Sequence, residues 1–366
     1  MSADTRPTFR VEAGSDGVQI WIDDAKPLTL SWKWLRDHSE DDASFDPITR
    51  QRTVDTFSID RHPPAGVVTV GDDHLAIAWP DATRQSILSL RTLVGLRASS
   101  PPKTIWRTPA EQSVEPVDYT SIVETDHGLS AFLSDISQFG FGRIGDAPAG
   151  QDAAQVLAER IGYVRRTIFG DMWTLSSQVS AHADSAYGAE TLEPHTDGSY
   201  SHDGPGTQLF ICEERTGEGG ESVLVDGFAA AHELKTEDPA AFELLTSVSV
   251  PSHYVEDGVE LRASRPTIRL DAAGEIAQVT FNNYDRSPFI LPPQVMAEWY
   301  DAYAAFHTLI TDRDSWWVER LDPGDGVLFD NWRCLHGRMA FTGIRVFHGC
   351  YLNHEDLESR IRLSDC

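Results

Sequence analysis

The sequence is poor in cysteine. Only Cys212, Cys334, Cys350 and Cys366 occur in 366 residues, and no two of them form a CxxC pair. Four thiols spread over this length are no disulfide framework, which favours reduced thiols in a reducing compartment. Basic residues are also scarce. Lys and Arg total 30 against 57 Asp and Glu, a formal charge of −27. A surface this acidic repels phosphate backbones and anionic lipid, which argues against nucleic-acid binding and membrane attachment. It does not govern a small pocket, where local residues decide. No apolar run approaches the roughly 18 residues of a membrane span, and no internal repeat or low-complexity tract occurs. The start, Met1 to Pro7, has no basic segment leading into an apolar one and no Arg/Ser-rich amphipathic pattern. A cytoplasmic, bacterial protein is therefore expected.

What is present is ample core material. The chain is 40% hydrophobic and 10% aromatic, with ten Trp. At roughly 100–200 residues per domain, this length predicts two domains, or one large β-rich domain with an appendage. Residues 9–30 alternate as strands do, and Val67 to Val70 and Leu75 to Trp79 read as two more, joined by Gly71-Asp72-Asp73. A small β-rich domain over 1–98 follows, with Ala98 to Lys103 as a linker. Residues 117–170 read mostly helical, and Asp152–Ile168 carries Ala153, Val156, Leu157, Ile161 and Val164 at helical spacing. Beyond 172, short strands dominate, near 208–212, 221–225, 277–281, 326–329 and 344–348. Helical stretches interrupt them near 227–246 and 293–311. The expected class is mainly β with covering helices (α+β), with a double-sheet jelly-roll or cupin-like domain over 99–366.

The sharpest local signal is Pro194-His195-Thr196-Asp197. A His and a carboxylate two residues apart on a strand point to the same face, so they can converge on one metal ion. A distant second His, for which His336 is the candidate, would complete a 2-His-1-carboxylate triad of the kind that holds iron(II) with open positions. Arg345, nine residues after His336, offers a fork for a dicarboxylate cosubstrate. Each has a plainer reading alone. His195 can be a hydrogen-bonded core histidine, and Arg345 a surface salt bridge.

Seven motifs run in order along the chain: Trp34 to His38, Asp184 to Tyr187, His195 to Asp197, Gly219 to Phe228, Phe281 to Arg286, Asp330 to Arg338, and Phe341 to Tyr351. With them the sequence resembles the iron(II)/2-oxoglutarate dioxygenases of the trimethyllysine and γ-butyrobetaine dioxygenase family, within the taurine dioxygenase superfamily. The resemblance implies that His195, Asp197 and His336 hold the iron, that Arg345 grips the distal carboxylate of 2-oxoglutarate, and that Ser222 stands near that group. It implies oxygen as the second cosubstrate and a homodimer. Family substrates carry a trimethylammonium group, which has no hydrogen-bond donor and is held by aromatic faces. The matching cage positions are Phe169 (where Tyr is usual), Trp173, Tyr187 and Tyr351. Asp184, Asn283 and Arg286 match positions for the substrate's other end. Relatives hold a structural zinc in the N-terminal module through three Cys and a His. Here the Cys are missing and only His74 matches, so no structural zinc is expected. The expected activity is hydroxylation of a small trimethylammonium compound, first trimethyllysine. The alternatives are 2-(trimethylammonio)ethylphosphonate and γ-butyrobetaine, and outside catalysis a cupin-like quaternary-ammonium binding protein.

Overall fold

The structure is a computed structural model that describes residues 7–96, 103–177 and 188–364. The chain divides into two compact units, Met1–Ser100 and Pro101–Cys366. The expected linker falls largely outside the described residues.

The first unit holds β1 (Phe9–Ala13), β2 (Gly17–Ile22), β3 (Leu28–Ser31), α1 (Trp32–Asp37), the two-residue β4 (Phe45–Asp46) and β5 (Gln51–Arg52), β6 (Val67–Val70), β7 (His74–Ala78), β8 (Gln85–Ser89) and α2 (Leu90–Gly95). Two three-stranded antiparallel sheets, β1-β2-β3 and β6-β7-β8, alternate as the sequence does. Val18, Ile20 and Ile22 turn inward on β2, and Leu75 and Ile77 on β7. Trp32 is buried edge-on to Trp79, whereas Trp34 stacks on His38 and Trp21 lies under the Arg10 guanidinium. His74 pairs with Asp73 through Nδ1 at 2.6 Å.

The second unit contains β9 (Pro116–Asp118), α3 (Tyr119–Glu124), α4 (Asp126–Phe139), β10 (Phe141–Gly145), α5 (Gln151–Ile161), β11 (Met172–Ser176), β12 (Leu192–His195), β13 (Thr207–Arg215), β14 (Ser222–Asp226), α6 (Gly227–Glu237), α7 (Pro239–Ser247), β15 (Ser249–Glu256), β16 (Val259–Pro266), β17 (Ile268–Leu270), β18 (Ile276–Val279), α8 (Pro293–Thr311), β19 (Trp317–Glu319), β20 (Gly326–Asp330), β21 (Cys334–Arg338), β22 (Arg345–Leu352) and α9 (His354–Ser364). A six-stranded sheet runs β11-β22-β13-β20-β10-β9, and a four-stranded sheet runs β12-β21-β14-β19. On the large sheet the two-residue period separates the faces. Leu209, Ile211, Cys350 and Leu352 pack with residues of α3, α4, α5 and α9, while Gln208, Phe210, Arg345 and Tyr351 turn to a cavity. Helices α6, α7 and α8 pack with Val223, Val225 and Leu335 of the small sheet. Between the sheets lie Phe141, Leu224, Trp317, Phe329 and Phe347. The architecture is mixed, with many strands and covering helices. Among the described residues no helix is long and apolar enough to cross a membrane.

Three expectations are corrected. The helical reading of 117–170 missed β10. Gly140 adopts φ +86 and ends α4, a left-handed conformation that costs glycine little, and the chain turns directly into the large sheet. Helix α5 stops at Ile161 rather than running to 168. Val164 there bridges Leu352, and the Arg165 N–H donates to the Tyr351 carbonyl at 2.7 Å, so sheet pairing wins over helical periodicity. Val156 is correspondingly exposed, because the inward face is Ala153, Ala154, Leu157, Ala158 and Ile161. The stretch 227–246 is two helices. Asp238 caps the second through Ala241 N, with Pro239 at its first position.

Candidate metal centre and its cavity

Strands β12 and β21 pair antiparallel with His195 opposite His336, which sets the two imidazoles 4.3 Å apart by ring centroid. Asp197 lies two residues beyond His195, but β12 ends at His195. The shared-face argument therefore does not apply as a strand argument. Asp197 is placed by backbone bonds instead. Its N–H donates to Asn331 Oδ1 at 3.0 Å, and Asn331 Nδ2 donates to its carbonyl at 3.1 Å. The Thr196 N–H reaches the Phe281 carbonyl at 2.8 Å. Asn331 is thus a positioning residue that the motif contained without revealing its role.

The three side chains converge. His195 Nε2 stands 3.4 Å from Asp197 Oδ1, His336 Nε2 stands 3.8 Å from Asp197 Oδ2, and one donor atom from each lies within 4.8 Å of the others. The His195 ring is fixed by its Nδ1, 2.8 Å from the Glu193 carbonyl. Donation from Nδ1 leaves Nε2 as a lone-pair donor, the usual arrangement of a metal-bound imidazole. Burial, reinforced by the neighbouring His195, pushes His336 down to about 3 against the opposing pull of Asp197. For Asp197, burial acts to raise the pKa, but the two imidazoles and hydrogen bonds from His195 and Tyr351 hold it below its ordinary value. The Tyr351 hydroxyl donates to Asp197 Oδ2 at 2.8 Å, and Gln208 Nε2 does so at 2.9 Å. A neutral His336 beside an ionised carboxylate is the deprotonated state that a metal requires. Two nitrogen donors and one oxygen donor match the facial set of iron(II) oxygenases. The residues present fit iron(II).

These groups line a cavity of about 310 Å³. One wall is cationic. Arg345 is buried, with its guanidinium 3.9 Å over the Phe347 ring and its Nε without a hydrogen-bond partner. Burial first, then Arg338 and Arg215, pull it down to about 9. Ser222 lines the same cavity and opposes Arg338 across β14 and β21. A buried guanidinium that faces other cations calls for an anion.

The cavity also has an aromatic lining. Trp173 lies 5.1 Å from Phe210 and 5.8 Å from Tyr351, while Tyr254 lies 5.9 Å from Phe169 and 5.0 Å from Tyr200. Trp173 opposes Gly349. A Cβ there would stand 2.0 Å from Trp173 Cη2, so glycine is required where the ring crosses the strand. Of the residues the sequence singled out, His195, Asp197, His336, Arg345, Ser222, Phe169, Trp173 and Tyr351 come together at this cavity. Asp184 and Tyr187 lie outside the described residues. Asn283 and Arg286 are not brought into the cavity. Arg286 Nε donates to Asn283 Oδ1 at 3.1 Å, and its guanidinium lies 5.6–5.7 Å from the Trp299, Tyr300 and Tyr303 rings. Sequence reasoning missed Tyr200, Tyr254, Asn282, Tyr284 and Asp285, which line the cavity. The last three fall inside the Phe281–Arg286 motif, the one signal that could have found them.

A 2-His-1-carboxylate centre facing a buried guanidinium defines the class of non-haem iron oxygenases that consume a dicarboxylate. Residues 104–351 match the family described as taurine catabolism dioxygenase TauD, TfdA family. The chain is 35% identical to trimethyllysine dioxygenase, mitochondrial, of Gallus gallus, over 92% of this chain and 83% of that protein. It is 30% identical to gamma-butyrobetaine dioxygenase of Pseudomonas sp. (strain AK-1), over 97% and 95%. A putative alpha-ketoglutarate-dependent taurine dioxygenase from Burkholderia xenovorans superposes with TM-score 0.52 at 13% identity, over 70% of this chain and 93% of that one, a likeness of fold alone. The chain belongs to the TauD/TfdA dioxygenase family, whose chemistry uses iron(II) and 2-oxoglutarate.

Proposed function

We propose that this enzyme hydroxylates a small trimethylammonium compound, with trimethyllysine as the first substrate, and that His195, Asp197 and His336 are its iron ligands. Iron(II), when bound, supplies oxygen activation coupled to oxidation of 2-oxoglutarate to succinate and carbon dioxide, with one oxygen atom delivered to a substrate C–H bond. The protein's own residues bind and aim the reactants. Arg345 takes the distal carboxylate of 2-oxoglutarate, and Ser222 stands beside that group. The single observation carrying this assignment is the buried Arg345, which pairs with no carboxylate among the described residues, in the same cavity as the triad. A quaternary-ammonium binding protein has no use for either.

Phe169, Trp173 and Tyr351 line the cavity, and a desolvated ring face attracts a trimethylammonium by about 0.5–2 kcal/mol. Holding that head fixes which C–H bond meets the iron. The relatives' names support the substrate class, and the bacterial γ-butyrobetaine enzyme at 30% identity keeps γ-butyrobetaine as a second reading. On this reading the two sheets of residues 101–366 form a double-stranded β-helix, residues 1–100 form a separate β-rich domain, and the enzyme is a cytoplasmic homodimer. Sedimentation equilibrium checks the last point.

The test is succinate release under air, with iron(II) and 2-oxoglutarate, across trimethyllysine, γ-butyrobetaine, 2-(trimethylammonio)ethylphosphonate and choline. Trimethyllysine is expected to drive succinate formation together with a product heavier by one oxygen atom. Release that no trimethylammonium compound stimulates contradicts the substrate class.

A further inference from the structure

We infer that Gln208 and Tyr351 are positioning residues that together occupy one oxygen of Asp197, Oδ2, leave Oδ1 to the metal, and so keep a coordination position open for the reactants. The inference rests on the iron ligands proposed above. It concerns how Asp197 binds rather than whether it binds.

The two donors come from neighbouring strands. Gln208 of β13 opposes Tyr351 of β22, so both project from the large sheet at one level, whereas His195 and His336 come from the small sheet. Gln208 Nε2 donates to Asp197 Oδ2 at 2.9 Å, and the Tyr351 hydroxyl donates to the same oxygen at 2.8 Å. Gln208 Nε2 also lies 3.5 Å from the Tyr351 hydroxyl oxygen. A donor on that side turns the hydroxyl hydrogen toward Asp197.

The lone pairs then divide the carboxylate. Each of its oxygens offers about two acceptor sites, and on Oδ2 both are taken. Oδ1 faces the imidazole of His195, whose Nε2 stands 3.4 Å away. Among the described residues no hydroxyl or amide donates to Oδ1. Gln208 also has little other reason to be an amide. It is 2% exposed, and its Oε1 has no hydrogen-bond partner. A buried acceptor left unpaired costs stability, which an apolar side chain in the sheet would avoid. The amide cannot turn over to pair Oε1, because an ionised Asp197 only accepts and needs the Nε2 end. Donation to Asp197 is what the amide contributes. A carboxylate that binds through both oxygens takes two positions on a metal, and one that binds through Oδ1 alone takes one. Cosubstrate and oxygen must share what is left.

The experiment loads the full-length protein with Mn(II) alone, at saturation and without 2-oxoglutarate, and counts metal-bound water by proton relaxation. Six positions less three protein donors leave about three waters in wild type. Gln208→Met is close in length and lacks the N–H, and Tyr351→Phe lacks the hydroxyl. The double variant frees Oδ2, and relaxation per bound Mn(II) is expected to fall by about a third, as the second oxygen displaces one water. Each single variant frees one acceptor site and is expected to move the value the same way by less. A merely structural role would weaken Mn(II) binding and leave the water count unmoved. A wild-type count of about two waters overturns the inference, because Asp197 then already chelates. An unchanged count in the double variant, or in both single variants, overturns it and leaves the ligand assignment standing. Wild-type Mn(II) binding that survives intact in His336→Ala overturns the ligand assignment and this inference with it.

Discussion

The two ends of the cavity are built differently. The metal and cosubstrate end rests on ladder register. His195 opposes His336, Ser222 opposes Arg338, and Arg345 opens a strand paired through its whole length to β13. The substrate end adds loop residues to Trp173 of β11 and Tyr351 of β22. Phe169 follows α5, Tyr200 sits in the turn after Asp197, and Tyr284 and Asp285 lie between β18 and α8. Strands fix side-chain direction with a period of two, whereas loops fix it by individual hydrogen bonds. Chemistry common to a family belongs on the first kind of scaffold, and choice of substrate on the second.

The largest effects are expected at the ladder end. His195→Ala or Asp197→Ala should reduce iron-dependent succinate release to background while the thermal midpoint moves by only a few degrees, because these groups line an open cavity. Full activity in His195→Ala would break the comparison outright. Arg345→Ala comes next. Losing a buried charge-assisted partner costs about 2–5 kcal/mol, so KM for 2-oxoglutarate should rise on the order of 30-fold or more, with a smaller change for the amine. Equal changes for both would show that Arg345 does not divide the two ends.

Tyr351 bridges the ends. Its ring faces Trp173 and its hydroxyl binds Asp197. Tyr351→Phe keeps the ring and removes the second contact, and lost outer-shell partners cost roughly 10–100-fold in metal affinity or activity. Apparent iron affinity should fall by that order while KM for the trimethylammonium compound stays nearly constant. A shift confined to the amine would place Tyr351 wholly at the substrate end. Phe169→Leu should act in the opposite sense. It should raise KM for the amine roughly 2- to 30-fold, the value of one ring face at about 0.5–2 kcal/mol, and spare 2-oxoglutarate.

How much of this was legible in the sequence follows the same division. His195, Asp197, His336 and Arg345 were found because a short spacing and one strand separation carry them, even though Asp197 is placed by Asn331 and not by the strand. Arg286 does not line the cavity. A guanidinium in a motif looks like an anion site, but α8 offers three rings that take it, and no local pattern reveals a helix arriving from ten residues away and beyond. Asp285 stood next to it unremarked. The early end of α5 had the same cause, because Val164 finds a strand partner nearly two hundred residues later at Leu352.

The smallest expected effect is on stability. His354 Nε2 stands 3.4 Å from Asp330 Oδ2, and the ring stacks on Trp332. Burial opposes the charged imidazole, but Asp330 and Glu358 outweigh it and raise its pKa above the ordinary 6.5. Burial likewise opposes the ionised Asp330, and His354 and Lys103 hold its pKa below the ordinary 3.8. The stability contributed by charged His354 is complete below pH 6.5 and fades as pH rises through its raised value. That of Asp330 is complete above pH 3.8 and fades as pH falls through its lowered value. The pair should therefore stabilise most between those limits. Urea unfolding of wild type and His354→Gln should differ by about 1 kcal/mol more at pH 5.5 than at pH 9. A gap independent of pH would assign the effect to stacking on Trp332 alone.

The central claim is that a single iron site is formed by His195 and His336 on paired strands and by Asp197 just past the end of the first. Equilibrium dialysis of iron(II) under anaerobic conditions, with saturating 2-oxoglutarate, tests it most directly. One tightly held iron per chain in wild type, lost in Asp197→Ala and in His336→Ala, is the predicted result. Retention of one iron per chain by both variants would contradict it.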